Sequence, residues 1–290
     1  EDRDVGEYAA QNWNEFSIYL GGESKFPNLH KQIPYPVDDS SILPFYDLQA
    51  FLSSSDNSYL NTINIIGNPF SYPYKAELMD LLYSIPVKKN FYLTASTACR
   101  FIKEIQQIDL PNYELYIYYE QEEASIHHIL TEKQIPFHWI YLISSEKQYE
   151  DLEKLETKYG NEYVEVHPIY TGDNLPFFEE NVYLAEEDIL QSNYDKQDIF
   201  AHQVMNTNFW GRLSVLPDGK VYSNLNHPPL GTLKDRVYDL IVDEMTSKRA
   251  WRWIRDEVSP CKDCLFRYLC PSPSNYELVI GKPNLCHVKP

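Results

Sequence analysis

The chain has 290 residues, with 25 basic against 43 acidic side chains and a net charge of −18. Its length suits one large domain or two ordinary ones, and its content of 43% hydrophobic and 14% aromatic residues is too rich in core formers for a disordered acidic tail. So acidic a balance, with no Lys/Arg cluster, argues against nucleic acid or an anionic membrane surface as partner. No apolar run approaches the roughly 20 residues that span a bilayer, so a soluble, cytoplasmic protein is expected. The sequence begins at Glu1 rather than Met, which leaves room for a segment upstream.

From about residue 15 to 170, short apolar runs alternate with longer amphipathic ones. Strands are predicted at Phe16–Leu20, Thr62–Ile66, Asn90–Thr94, Leu115–Tyr119, Phe137–Ile143 and Tyr163–Ile169. The first two stop at turn residues, Gly21-Gly22 and Gly67-Asn68-Pro69. Helices are predicted between them at Phe45–Leu52, Tyr74–Ser84, Ala98–Gln107, Gln121–Gln134 and Glu146–Tyr159. Strand and helix in alternation read as βα units around a parallel sheet. Six units are too few for a closed eightfold barrel, which leaves an open doubly wound sheet or a partial barrel.

Residues 173–206 read as a connector, rich in proline, acids and amides, with one short helical piece near Ala185–Gln191. Arg212–Leu216 and Lys220–Tyr222 flank Pro217-Asp218-Gly219 and read as a hairpin, because Asp-Gly between apolar runs is a strong turn signal. A helix over Val237–Ile254 leads to the C-terminus. There, four of the five cysteines fall in the last 30 residues as Cys261-x2-Cys264-x5-Cys270-x15-Cys286. A chain this long has no need of a disulfide scaffold, and clustered thiols in a cytosolic protein point to a metal, with reduced cysteines or two disulfides in a small loop-rich cap as the alternative. A Cys-x-x-Cys turn puts two thiolates on one side of a tight loop, and two more complete a set suited to zinc or a 4Fe-4S cluster. His287, beside Cys286, is the one alternative ligand and is expected to be solvated.

With these residues in view, the stretch 207–290 resembles the SPASM domain that follows many radical S-adenosylmethionine (radical SAM) peptide maturases. The resemblance implies two auxiliary clusters in a full member. The ligands of the distal one fall here on Cys261, Cys264, Cys270 and Cys286. The proximal cluster's positions fall on Asn224, on Ser274 and between residues 203 and 209, none of them cysteine. The frame around them survives in Pro217–Tyr222 and in Leu230-Gly231-Thr232-Leu233.

A radical SAM enzyme also carries Cys-x3-Cys-x2-Cys after its first strand, yet residues 1–98 contain no cysteine. Its second strand ends in Gly-Gly-Glu-Pro, matched here by Ile66-Gly67-Asn68-Pro69. The combination resembles the pseudo-radical-SAM/SPASM proteins of Bacteroidales peptide-maturation systems, whose ending matches Cys270–Leu278. The resemblance implies a partial (β/α)6 barrel over 1–172, a connector over 173–206 and a reduced SPASM-like domain over 207–290. It also implies a radical SAM maturase and a small precursor peptide with a double-glycine leader as partners, and no SAM cleavage by this chain. The expected role is a partner or scaffold in maturation of a ribosomal peptide, with one four-cysteine centre holding 4Fe-4S or zinc. An electron-transferring or diverged enzyme, and a peptide-binding module with structural zinc, stand as alternatives.

Other residues carry less. Cys99 sits near a predicted helix start, where a thiol pKa can fall, and is expected to be a small buried residue. His127 and His128 point about 100° apart on a helix and cannot share a metal. Glu122-Glu123, Glu179-Glu180 and Glu186-Glu187-Asp188 read as solvated faces. The tyrosine-rich run Leu115–Tyr119 suggests a barrel interior lined by rings, and no Gly-rich phosphate loop or nucleophile elbow is present.

Overall fold

The computed structural model describes residues 9–22, 24–54, 58–120, 124–160, 164–247 and 249–288. Six parallel strands, β1 Glu15–Tyr19, β2 Thr62–Ile66, β3 Lys88–Thr94, β4 Tyr113–Tyr118, β5 Phe137–Ile143 and β6 Val164–Pro168, follow one another across the sheet in chain order. A doubly wound sheet reverses its order at a switch point, and this one does not. Each crossover steps the same way, and right-handed crossovers then place every helix on one face. The packing agrees: Phe16, Ile63, Phe91, Leu115 and Phe137, alternate residues of the strands, share a core with Leu48, Leu78, Ile105 and Leu130 of the helices. The architecture is the expected partial (β/α)6 barrel.

The helices are α1 Phe45–Leu52, α2 Lys75–Ser84, α3 Ala95–Arg100, α4 Ile102–Ile105, α5 Ala124–Glu132 and α6 Glu146–Tyr159. In α1 the buried residues Phe45, Leu48, Phe51 and Leu52 form one stripe. Phe51 meets Phe16 and Trp13 with ring centroids 5.5 and 5.8 Å apart. The single helix expected over Ala98–Gln107 is two. Thr94 caps α3 early by accepting from the Thr97 N–H at 3.2 Å. Phe101 then breaks the run and stacks on Phe70 at 5.5 Å. Residues 121–123 and Tyr163, where an expected helix and an expected strand begin, lie outside the described residues, as do Glu122 and Glu123.

The C-terminal third extends the same sheet. Strand β7 Arg212–Val215 pairs in parallel with β1, and the hairpin partner β8 Lys220–Tyr222 and short β9 Gly231–Thr232 follow antiparallel. The segment read as a connector with one helical piece instead holds three helices, α7 Leu175–Asn181, α8 Glu186–Leu190 and α9 Lys196–Val204. Asp195 caps α9 by accepting from Gln197 and Asp198 N–H at 2.6 and 3.0 Å. The helix expected over Val237–Ile254 is α10 Val237–Ser247 only. It stops because buried Glu244 accepts the Ala250 and Trp251 N–H groups at 2.7 and 2.8 Å, which turns the chain back. The last helix is α11 Asn275–Ile280.

The glycines that end β1 and β2 serve close packing. Gly67 has φ +109°, and a Cβ there would lie 2.4 Å from the Gly21 carbonyl oxygen. Asn68 caps a 3-10 turn by accepting from Phe70 and Ser71 N–H at 3.1 and 3.2 Å. Gly67→Ala is expected to destabilise the fold by about 2–4 kcal/mol, from backbone strain and the collision together, read as a lower midpoint in urea unfolding.

Candidate functional site

In a β/α barrel, chemistry sits at the carboxyl ends of the strands. Here the segment between β1 and α1 covers that end. Its Leu29, Ile33 and Tyr35 pack on Tyr118, Ile140 and Ile169, and its Val37 packs on Tyr19 and Ile66. Polar contacts pin it on every side. The Tyr118 hydroxyl donates to the Pro34 carbonyl. The Gln32 amide donates to the Tyr170 carbonyl at 2.9 Å and accepts from the Tyr170 N–H at 2.8 Å. Asn226 donates to the Lys31 carbonyl at 2.8 Å and Asn275 to that of Gln32 at 3.1 Å. Burial pushes the Tyr35 hydroxyl up to about 12, and burial, then the neighbouring Lys31 charge, pushes His30 down to about 4.

A cavity of about 610 Å³ remains beside this segment, walled by Phe26, Tyr35, Ser96, Cys99 and Tyr118. Lys25 and Glu120 close its rim at 2.5 Å. Cys99 lines it and is exposed, contrary to the expectation of a buried residue. Ala95 and Ala98 take the inward positions of α3 and turn Cys99 outward. Deeper on the same sheet face, Tyr92, Tyr116 and His138 stack with centroids 4.9 and 5.0 Å apart, the expected rows of rings. Beneath them Asn90 donates to Asn64 at 3.0 Å, and Asn64 to Glu15 at 2.7 Å. His127 accepts from Trp139 Nε1 at 3.3 Å.

The four C-terminal cysteines, expected to form one centre, all line a single small cavity. Cys261 opens a 3-10 turn, Cys261–Asp263, and the Cys264 N–H closes it on the Cys261 carbonyl at 2.9 Å. Cys270 ends the next turn, its N–H bonded to the Phe266 carbonyl at 3.0 Å. Cys286 is held by a parallel bridge to Leu184, between α7 and α8. All four are free thiols that line one cavity of about 20 Å³, with Arg255 and Ile189 also in its wall. The segment read as a connector is therefore part of that wall. His287 turns to the Glu179 carbonyl at 2.7 Å instead.

The donor set is soft, reduced and shared by one cavity, which fits a thiophilic metal centre. The thiols stand around the cavity: among the described residues no three His, Cys, Asp or Glu side chains are gathered tightly enough to hold a metal ion. Burial pushes the Cys261 thiol up against the opposing pull of Arg255, and pushes Cys270 up to about 11. A metal entering here would displace protons.

Arg255 itself is buried. Its Nη2 pairs with Glu277 Oε1 at 2.6 Å, and Nη1 reaches Cys261 Sγ at 3.9 Å. Burial opposes its charge, but Glu277 outweighs that and holds the guanidinium pKa above its usual value. Glu277 also accepts from the Ser274 N–H at 2.8 Å, capping α11. The three cysteine-less positions meet nearby. Asn206 donates to the Pro273 carbonyl at 2.8 Å, Thr207 N–H to Ser272 Oγ at 3.1 Å, and Asn224 to Asn275 at 2.7 Å.

Neither a protein-family model nor a curated protein matches the chain. Solved structures do. SuiB of Streptococcus suis bound to its precursor peptide SuiA, a radical-SAM/SPASM peptide maturase, aligns over 95% of this chain and 75% of its own, at 11% identity and TM-score 0.52. The anaerobic sulfatase maturase anSMEcpe with bound AdoMet aligns over 88% and 84%, at 12% identity and TM-score 0.53. The chain has a radical-SAM-like fold over most of its length. No helix among the described residues is long and apolar enough to cross a membrane.

The His30 shift predicts a pH dependence. A histidine whose folded pKa is lowered stabilises the fold above its unfolded value near 6.5, and that contribution is lost as pH falls toward about 4. Unfolding at pH 7 and pH 4.5 should show acid destabilisation that His30→Gln reduces.

Proposed function

We propose that this chain is a pseudo-radical-SAM/SPASM protein of a Bacteroidales double-glycine-type peptide-maturation system, which binds a partner radical SAM maturase and its small precursor peptide and does not itself cleave SAM. On this reading residues 1–172 are the barrel, 173–206 the joining helices and 207–290 a reduced SPASM-like domain with one metal centre, in a cytoplasmic protein. The observation that carries it is the covered strand end. The segment that follows β1, where a radical SAM enzyme carries three cysteines, has none here. Instead it seats Leu29, Ile33 and Tyr35 on the sheet face. Tyr35 is 2% exposed, so the place is filled by core packing.

The kept centre is assigned to Cys261, Cys264, Cys270 and Cys286. Either zinc or a 4Fe-4S cluster would be held by thiolates alone, and would cross-link the turn at Cys261, the turn at Cys270 and the strand contact at Cys286. Binding free energy there is local folding free energy. The match of Cys270–Leu278 to the family ending supports the narrower assignment, and the likeness to a maturase bound to its precursor peptide supports a peptide partner.

Cys264→Ser should lose metal and raise hydrogen exchange over 255–288; metal content and exchange equal to wild type would remove the centre. Incubation with SAM and a strong reductant should give no 5′-deoxyadenosine. Co-purification from the native host should bring down a radical SAM maturase, and its absence from every preparation would count against the partnership.

A further inference from the structure

The wall of the four-thiol cavity contains two cationic side chains, Arg255 and Arg267, and the carboxylate of neither ion pair lines it. Arg267 is paired with Asp256 at 2.7 Å and is about one third exposed. Arg255 differs, being held in one orientation from all sides. Nε donates to the Pro271 carbonyl at 3.2 Å, Nη1 to the Pro283 carbonyl at 3.3 Å, and Nη2 to Glu277 at 2.6 Å. Pro271 follows Cys270, and Pro283 precedes Cys286 by three residues. One guanidinium therefore ties together the loops that carry three of the four thiols, and presents an N–H to Cys261 Sγ at 3.9 Å.

Four thiolates around a dication, or around a 4Fe-4S core of charge 2+, leave a net charge of 2− in a buried place, whichever metal is bound. A fixed positive group beside it stabilises such a charge. The planar fork of arginine can satisfy two carbonyls, a carboxylate and a sulfur together, which the single ammonium of lysine cannot.

We propose that Arg255 is the counter-charge of the metal centre, a positioning residue aimed by Glu277 that contacts no metal yet sets how firmly the metal is held. This inference rests on the four-cysteine reading and deepens it. Residues in this second layer around a metal commonly change affinity by about 10–100-fold. For a redox-active cluster, loss of the nearby positive charge would also make the more negative reduced state harder to reach, so its potential would fall.

The test compares the wild-type chain with Arg255→Lys, and with a double variant Arg255→Met/Glu277→Met that removes both buried charges together and so leaves neither charge unpaired. Each protein is reconstituted anaerobically with iron and sulfide, and separately with zinc. Metal content, release to a chelator, and thermal unfolding with and without metal are then measured. The double variant should fold, and release metal about 10–100-fold faster than wild type. Arg255→Lys should fall between them, with the change confined to the metal-loaded form. A wild-type chain that takes up neither metal removes the centre itself. Uptake by wild type with equal release from the variants removes the role of Arg255 and leaves the centre standing. If the double variant does not fold, Arg255→Lys decides alone: release equal to wild type overturns the proposal.

Discussion

The structure hangs on β1 being hydrogen-bonded along both edges. A barrel's first strand has only one neighbour when the sheet stays open, yet here β2 holds one edge of Glu15–Tyr19 and β7 the other. Residues nearly 200 positions apart, Glu15 and Arg212, stand opposite and form an ion pair at 3.4 Å. The barrel and the C-terminal hairpin are thus one nine-stranded sheet. Everything past β7 is hung from the barrel's first strand. Once it is placed there, Asn226 and Asn275 can reach back to the Lys31 and Gln32 carbonyls and hold the segment that covers the strand ends.

On the proposed reading, hydrogen bonds stand where a cluster was lost. The region around 206–208, Asn224 and the residues beside Ser274 are far apart in sequence but adjacent in space, as ligands of one centre must be. Each position now carries an amide or hydroxyl. Asn206 is fully buried and bridges the Trp253 and Pro273 carbonyls at 2.9 and 2.8 Å. Each such bond contributes about 1 kcal/mol net, so several are needed to replace what one metal centre would give. Glu277 touches both places: it pairs with Arg255 in the wall of the four-thiol cavity and accepts from the Ser274 N–H.

Much of the barrel was legible because strand and helix periods differ sharply. Thr62–Ile66, Phe137–Ile143, Phe45–Leu52 and Glu146–Tyr159 fall where the sequence places them. The misreadings have local causes. Thr94 starts α3 early and Phe101 breaks it. Glu244 ends α10 by capturing backbone N–H groups six and seven residues on, which no periodicity reveals. The helices within 173–206 are short, and their start signals, such as Asp195 with Asp198, were hidden among other acids. At the site, the spacing of the cysteines was readable, whereas Arg255 was not. Its importance comes from Pro271, Glu277 and Pro283, which the fold brings together and the sequence keeps apart. The covering segment was likewise invisible, since Leu29, Ile33 and Tyr35 lack any regular period.

The most direct measurement is the metal stoichiometry of the chain after anaerobic reconstitution, with acid-labile sulfide and optical absorbance recorded on the same sample and on Cys264→Ser. One centre per chain is predicted, a single zinc or a single 4Fe-4S cluster, absent from the variant. No metal, a second centre, or equal loading of the variant would contradict the proposed reading of a single centre on the last four thiols.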